Sequence, residues 1–414
     1  MGEVKDNKLK GFFQNFLKKE FLFSDKSVLQ ANYNPDTIPH RDQQIEQIAG
    51  ILGSALLYQK PSNLFIYGKT GTGKTLTVQH VTNNLLSIAK EQKIDLHVLY
   101  INCKLKKIAD TEYRLIAEFI RGMGGEVPAT GLPTEEVYRI FTKIIDNKKQ
   151  LILLVLDEID QLVEKTGDEI LYSLTRMNSE LKNAQISLIG ISNNLVFTDH
   201  LDPRVKSSLS EEEIVFPPYN ALQLQDILVQ RSKLAFKPTV LDMGVVEKCA
   251  AYAAREHGDA RRALELLRVA GEIAERNDEL KVSIKHIDIA EDKIEKDRVL
   301  DIISTQPRQH QAILYSIMKL GEETAKGRDG ADGSLFTGDI YELYKKVCSE
   351  IQLRPLTQRR VSDIISELDM LGIINGTVIS KGRYGRTRKI SIAIHKNTKA
   401  KAKEILEKSF GFTK

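Results

Sequence analysis

The feature that most constrains this chain is a glycine-rich stretch. It reads Gly68-Lys69-Thr70-Gly71-Thr72-Gly73-Lys74-Thr75, which fits the pattern G-x-x-x-x-G-K-[ST] of a phosphate-binding loop. Residues 63–67 are typical of a short buried strand, and residues 76–89 carry apolar side chains at helical spacing. Glycines let backbone N–H groups face phosphates, and a helix N-terminus adds partial positive charge. The stretch therefore predicts a nucleotide site in which Lys74 contacts the β- and γ-phosphates and Thr75 holds Mg²⁺.

A second motif lies further along the chain. Residues 151–156 are all apolar and run directly into Asp157 and Glu158. This pattern is typical of a buried parallel strand, and ligands of such sheets bind beyond the carboxyl ends of the strands. We expect Asp157 to complete the Mg²⁺ shell and Glu158 to orient and deprotonate a water molecule. The next apolar run ends at Asn193, whose amide is a candidate for placing that water; a simple turn is the alternative.

Two arginines are candidates for completing this site. Arg204 follows Asp202-Pro203 at a predicted turn. It is either an arginine finger that reaches a neighbouring subunit's nucleotide or a surface charge. Arg261 lies in the first turn of a predicted amphipathic helix, where it either points back at a phosphate or lies on the helix surface.

The chain before the loop is predicted to contain an arm and an entry segment. Residues 1–24 form a basic amphipathic arm that either binds a partner or packs on the body. Residues 34–41 are turn-rich, and in ATPases of this kind the entry segment often packs against the adenine base. Ile38 and Arg41 are therefore candidate nucleotide contacts, and Tyr219 is a further one.

An insertion separates the second predicted strand, residues 95–103, from the strand that ends at Asp157. Residues 109–121 and a segment that Thr134 is expected to cap are predicted helices, and a glycine-rich loop joins them. A helix–loop–helix of this kind is unusual in a plain nucleotide-binding core.

Composition limits the class of protein and the kind of partner. The chain has 414 residues and 42% apolar content, which suits two or three globular domains. It has no signal-peptide pattern and no apolar run of membrane-spanning length, and its three separated cysteines indicate a reducing interior. The net charge is only +4, but the sequence from Lys381 onward contains eleven basic residues and only two acidic ones, Glu404 and Glu407. This basic end indicates a polyanionic partner, although the part after Lys396 is equally compatible with a solvated tail.

The C-terminal region shows a winged-helix pattern. Helices are predicted over residues 309–320 and 337–351 and from Thr357, with a charged, glycine-rich loop over 322–334. Two strands, 376–380 and 388–394, enclose a basic turn. The third helix suits a major groove, and the turn suits a minor groove or phosphates. A winged helix that binds protein is the alternative. The DNA-contact candidates here are Gln358, Arg359, Arg360, Lys381, Arg383, Tyr384, Arg386 and Arg388.

Taken together, these motifs resemble AAA+ ATPases of the initiator clade, most closely archaeal origin-recognition proteins of the ORC/Cdc type. The resemblance covers about residues 23–410. It implies an α/β P-loop AAA+ core with a parallel sheet, an all-α lid and a C-terminal winged-helix domain. It also implies sensor roles for Asn193 and Arg261, a finger role for Arg204 and DNA contacts in the insertion, where the candidates are Met123, Gly124, Pro128 and Thr130. The expected boundaries are 1–24 for the arm, 25–216 for the core, 217–299 for the lid and 300–414 for the winged helix.

The resemblance implies a replication initiator that uses ATP or ADP with Mg²⁺ as a slow, regulatory switch. Its expected partners are origin duplex DNA, the MCM replicative helicase and other initiator subunits, in the cytoplasm at the nucleoid and away from membranes. Two alternatives stay open. One is a hexameric Holliday-junction branch-migration motor, and the other is a signalling or regulatory ATPase with a winged helix.

Overall fold

The structure is a computed structural model that describes residues 21–104, 110–128, 130–209, 211–327, 335–380, 386–394 and 396–412. Side chains are not described at 198, 200, 211, 325–327, 378–380, 386–387 and 396–397. The chain divides into two units, Met1–Ile287 and Asp288–Lys414. None of the helices in the described ranges combines the length and the apolar character that a membrane span requires.

The first unit is built on a parallel sheet of five strands in the order β2-β3-β4-β1-β5. Every residue of the interior strand β3 is buried, as expected for a strand covered on both faces. The strands are β1 Asn63–Gly68, β2 Leu96–Asn102, β3 Gln150–Asp157, β4 Ala184–Ser192 and β5 Glu211–Phe216.

Helices cover both faces of this sheet. On one face, Ile48 and Val78 join a buried cluster with β1 and β3, and on the other Phe119 and Phe141 join a larger cluster. The helices of the described part of this unit include α1 Asp42–Leu52, α2 Lys74–Glu91, α3 Glu112–Gly122, α4 Thr134–Ile145, α5 Ile159–Thr166, α6 Glu169–Arg176, α7 Pro203–Leu209, α8 Ala221–Ala235, α9 Val245–Arg255 and α10 Ala260–Arg276.

The insertion is a helical hairpin of α3 and α4 on the second face. The rings of Phe119 and Phe141 stack with centroids 5.7 Å apart, which fixes the two helices against each other. The prediction that Thr134 caps α4 is wrong. Thr134 is already helical, and the extended residue before the helix is Pro133, which makes no side-chain cap bond.

The lid consists of α8, α9 and α10. Asn220 and Gln223 form a capping box at the start of α8, and Asp259 caps α10 through the N–H groups of Arg261 and Arg262. Residues before α1 also belong to this part, because Phe23 stacks on Phe236 with ring centroids 4.5 Å apart. The entry segment therefore packs against the lid and forms part of it.

The second unit is a winged helix around a single described core. It contains α12 Arg308–Gly327, α13 Thr337–Glu350, α14 Gln358–Met370, and a sheet of β6 Leu335–Phe336, β7 Ile374–Ser380 and β8 Arg386–Ile392 in the order β6-β8-β7. The boundary with the first unit falls inside helix α11, Ile284–Thr305. The helix predicted to start at Thr357 begins one residue later, and Thr357 caps it by accepting a hydrogen bond from the N–H of Arg360.

One prediction for this unit is wrong, and one alternative that the sequence left open is excluded. Residues 322–327 are helical rather than loop, because α12 continues to Gly327. The chain after Lys396 is not a solvated tail. It forms helix α15, Lys396–Phe410, whose Ala402 and Leu406 are buried in the core of the unit.

Candidate functional site

A cavity of about 610 Å³ lies where strands β1, β3 and β4 end. This volume suits a small-molecule ligand. The predicted site residues that line it are Ile38, Thr70, Gly71, Thr72, Gly73, Lys74, Thr75, Asp157, Glu158, Asn193, Tyr219 and Arg261. The cavity thus gathers residues that are more than 200 positions apart in the sequence, as the motif analysis expected.

The glycine loop joins β1 to α2 with two glycines in the left-handed region. Gly71 has φ of +69° and Gly73 has φ of +89°. A Cβ atom on Gly71 would lie 1.7 Å from the carboxylate of Asp259, so this position needs glycine for space as well as for backbone conformation. The predicted strand–loop–helix context of the motif is therefore confirmed.

Lys74 is folded into this loop. Its Nζ donates to the carbonyl oxygens of Gly68 at 2.7 Å and Lys69 at 2.8 Å, and to Oδ1 of Asn193 at 2.9 Å. The pKa of Lys74 is lowered to about 8, mainly by burial and to a smaller extent by the nearby Arg261, while the Asp157 carboxylate partly opposes the shift. A buried ammonium group at the edge of this cavity is suited to bind phosphate oxygens.

The two residues predicted to hold Mg²⁺ meet directly. The Thr75 hydroxyl donates to Oδ2 of Asp157 at 2.9 Å. The same oxygen accepts a hydrogen bond from the Tyr100 hydroxyl, which sequence analysis missed. Burial and the hydrogen bond to Asp157 raise the pKa of Tyr100, so this hydroxyl remains a donor. A hydroxyl and a carboxylate at hydrogen-bond distance fit a hard cation that prefers oxygen ligands.

Glu158 follows β3 with an unusual backbone. Its φ of 56° and ψ of 47° lie in the left-handed region, which costs a non-glycine residue about 1 kcal/mol or more. Strained residues of this kind cluster at functional sites. The Oε2 atom of Glu158 lies 3.6 Å from Nζ of Lys104, a pairing that sequence analysis did not anticipate.

Of the two consecutive asparagines after β4, the first faces the loop. Asn193 contacts Lys74, whereas Oδ1 of Asn194 accepts the N–H of Val196 at 3.1 Å and so closes a local turn. The amide predicted to assist a water molecule is thus Asn193, and the structure places it beside Lys74 of the glycine loop.

Arg41 does not line the cavity, although it was expected on the nucleotide. Its Nε donates to the carbonyl of Thr72 at 2.9 Å, and its Nη2 donates to that of Pro217 at 2.7 Å. The guanidinium lies 3.9 Å from the ring centroid of Tyr219, whose hydroxyl is close to Gly73. Arg41 therefore holds the glycine loop by a hydrogen bond from outside the cavity, whereas Ile38 and Tyr219 line the cavity.

The N-terminus of α10 forms hydrogen bonds with the glycine loop. The N–H of Ala260 donates to the carbonyl of Gly71 at 3.2 Å, and the Thr70 hydroxyl donates to Asp259 at 3.4 Å. Arg261 is exposed and faces the cavity. Lys69 points outside it, with Nζ 3.4 Å from Nδ1 of His257.

Arg204 lies in the first turn of α7 rather than at a turn between elements. Its Nε and Nη2 donate to Asp202 at 3.1 and 3.2 Å, and its side chain is 85% exposed. These hydrogen bonds raise the pKa of Arg204 and lower that of Asp202. Arg204 does not line the cavity, so any action on a nucleotide has to be on that of another subunit.

The candidate DNA-binding residues of the winged helix divide into two groups. Gln358, Arg359 and Arg360 are exposed in the first turn of α14, where Arg360 pairs with Glu367 at 3.3 Å. Arg388 is half-buried and donates to the hydroxyl of Ser366 on the same helix. Lys381, Arg383 and Tyr384, together with the side chain of Arg386, lie outside the described residues.

In the insertion, Gly124, Pro128 and Thr130 are exposed, whereas Met123 packs against the core of the first unit. The Tyr113 hydroxyl donates to the carbonyl of Pro128 at 2.6 Å and holds this part of the loop. Three of the four predicted insertion contacts are therefore accessible.

Comparison with known proteins decides the family. The chain is 53% identical over 391 residues to the ORC1-type DNA replication protein of Pyrococcus furiosus, covering 94% of this chain and 91% of that protein. It is 49% identical over 392 residues to ORC1-type DNA replication protein 1 of Archaeoglobus fulgidus, covering 95% and 93%. This chain belongs to the family of ORC1-type DNA replication proteins.

Domain models and a solved relative agree with membership of the ORC1-type family. The model of the CDC6 C-terminal winged helix domain matches residues 301–402, that of the Cdc6 AAA+ ATPase-type lid domain matches 225–292, and that of an AAA domain matches 58–196. The Aeropyrum pernix ORC1 protein, solved in complex with DNA, is 44% identical with a TM-score of 0.81, covering 95% of this chain and 99% of that one. The resemblance and fold class inferred from the sequence are confirmed.

Proposed function

We propose that this ORC1-type protein is an ATP-dependent replication initiator. It binds ATP or ADP with Mg²⁺, holds origin duplex DNA through its winged helix and the loop of its insertion, and helps to recruit and load the MCM helicase. The observation that carries the nucleotide part is the convergence of Lys74, Thr75, Asp157 and Asn193 at one cavity.

The loop and the start of α2 bind the phosphates. Backbone N–H groups of residues 70–75 and the N-terminus of α2 favour negative charge, and Lys74 adds a buried ammonium group. Thr75 and Asp157 hold Mg²⁺, which neutralises phosphate charge when it is bound. Their hydrogen bond of 2.9 Å brings the two oxygens together, which supports a role as ligands of the same ion.

Hydrolysis depends on Glu158 as the base for water, with Asn193 positioning that water. Nζ of Lys104 lies 3.6 Å from the Glu158 carboxylate, so the proposed base is already engaged in an ion pair. A slow, regulatory ATPase is consistent with this pair. Exposed Arg204 is available to act on the nucleotide of another initiator subunit.

DNA binding is supported by the winged helix and by the relative solved with DNA. The first turn of α14 exposes Gln358 and Arg359, residue types that form hydrogen bonds with adenine and guanine in a major groove. The basic residues between β7 and β8 remain the predicted contacts to phosphates or a minor groove. The A. pernix ORC1 protein was solved in complex with DNA at 44% identity to this chain, which makes duplex DNA the expected ligand here.

A footprint on genomic DNA, made with ATP, with ADP and without nucleotide, tests the proposal. We expect protection of discrete sites and ATP hydrolysis that rises by less than about twofold when random duplex is added. Replacement of Arg383 and Arg386 with alanine should weaken binding to every duplex and reduce the salt dependence by about one slope unit per phosphate contact. Rapid hydrolysis stimulated by any duplex, with no discrete footprint, would instead indicate a motor and would refute the proposal.

A further inference from the structure

The cavity wall contains a buried arginine that the phosphate site does not use. Arg231 lies on lid helix α8, is 9% exposed and lines the cavity together with Tyr33 and Ile38. Its guanidinium carbon lies 4.4 Å from the ring centroid of Tyr33, so the aromatic face supports the cation. Arg231 is thus a positioned cation rather than a surface charge.

One N–H group of this arginine is left without an acceptor. Among the described residues, the buried Nη1 atom of Arg231 has no hydrogen-bond partner. Burial lowers the pKa of Arg231, and Tyr33 only partly opposes this effect. A guanidinium nevertheless keeps its charge in proteins, and a buried donor without an acceptor is costly. Native structures rarely retain such a group unless a ligand or water completes it.

The surroundings indicate which part of a nucleotide meets Arg231. Lys74, Thr75 and Arg261 account for the phosphate and cation end of the cavity. The residues beside Arg231 are of another kind, because Ile38, Ile227 and Leu234 present aliphatic side chains to the same cavity. Apolar walls with one directed donor suit a flat, largely apolar group that carries an acceptor in its plane. The base of a nucleotide has both properties.

We propose that Arg231 reads the base of the bound nucleotide, by donating from its guanidinium group to a ring nitrogen of the purine. Tyr33 holds the guanidinium in place for this hydrogen bond, and Ile38 and Ile227 contact the base. This inference rests on the proposed nucleotide binding and deepens it, because it assigns a residue on the lid to base recognition. Arg231 is then the residue through which the lid distinguishes a purine nucleotide from other polyphosphates.

The test compares Arg231→Met with the parent and with Arg255→Met by calorimetry. Methionine keeps an apolar stem but removes the donor. Arg255 is a matched control because it also lies over a tyrosine ring, that of Tyr252 at 5.2 Å, but is exposed and does not line the cavity. Arg231→Met should bind ATP about 10- to 100-fold more weakly, the range for a hydrogen bond to a charged group. Arg255→Met should bind ATP as the parent does.

Inorganic tripolyphosphate separates this inference from the proposed function. Its affinity should be equal in the parent and in Arg231→Met, because it contacts only the phosphate end. If the parent binds neither ATP nor tripolyphosphate, the proposed function fails. If the parent binds both and Arg231→Met still binds ATP normally, only the role of Arg231 fails.

Atom-specific analogues identify the hydrogen bond. In the parent, one of 1-deaza-, 3-deaza- and 7-deaza-ATP should bind about 10-fold or more weakly than ATP, and in Arg231→Met that difference should disappear. Without nucleotide, Arg231→Met should unfold at the same or a higher temperature, because it removes a buried charge with an unmatched donor. Equal losses for ATP and tripolyphosphate with a lower unfolding temperature would make Arg231 a structural residue. Normal binding of all three analogues would likewise overturn the proposal.

Discussion

Proton uptake on nucleotide binding follows from the environment of Lys74. With a pKa of about 8 in the free protein, this lysine is about one-tenth neutral at pH 7, about half neutral at pH 8 and about nine-tenths neutral at pH 9. Phosphate oxygens favour the charged form, so binding returns the missing fraction of a proton. We therefore expect uptake of about 0.1, 0.5 and 0.9 protons at the three pH values.

The lowered pKa of Lys74 also predicts how the affinity for ADP changes with pH. Because the binding-competent ammonium form is lost as pH rises through 8, the affinity for ADP should fall about tenfold between pH 7 and pH 9. Lys74→Ala should lose at least about 30-fold in affinity at pH 7, since it removes the buried cation that pairs with phosphate.

Calorimetry of ADP binding in buffers of different ionisation enthalpy measures the uptake directly. Lys74→Arg is the control, because arginine does not titrate in this range and should show no pH-dependent uptake. The secondary phosphate ionises near pH 6, so it contributes little at pH 8 and 9. Uptake below about 0.2 protons at pH 9 in the parent, with ADP bound, would refute the reasoning.

Three further outcomes are expected. Glu158→Gln should retain ATP affinity within about twofold but lower phosphate release at least about 100-fold, and hydrolysis at the parent rate would show that Glu158 is not the base. Arg204→Ala should leave nucleotide affinity of dilute monomer unchanged and reduce only hydrolysis that rises with protein concentration; a matching loss in dilute monomer would place Arg204 in its own subunit's site. Alanine at both Gln358 and Arg359 should reduce the preference for origin over random duplex about tenfold in binding titrations. Equal loss on both duplexes would mean that these two residues contact only phosphates.

The nucleotide site was largely predictable because local patterns and sheet geometry act together. The loop pattern fixed Lys74 and Thr75, and the buried run before Asp157 placed that carboxylate at the same sheet edge. The sequence did not identify Tyr100, because only the pairing of β2 with β3 brings its hydroxyl to Asp157. The position of Arg41 in the entry segment predicts a contact with the nucleotide, whereas its Nε and Nη2 donate to backbone carbonyls.

The errors in the second unit have a similar cause. In α15, Thr398, Ala402 and Leu406 recur every four residues and are buried, but the lysines between them dominate the composition. This narrow stripe stabilises α15 by packing against the rest of the second unit. The surface on which it packs is distant in the sequence, so no local pattern reveals it. The helix through residue 327 was missed because the glycines that follow biased the whole stretch toward loop.

The support that Arg41 gives to the glycine loop affects the thermodynamics of ligand capture. Its guanidinium joins the loop at Thr72 to the chain after β5 at Pro217 and stacks on Tyr219. The loop therefore loses most of its conformational entropy when the protein folds, before any ligand arrives. We expect association at this loop to carry little ordering penalty, as for other rigid sites. Differences in affinity between nucleotides would then arise at the other walls of the cavity rather than in the loop itself.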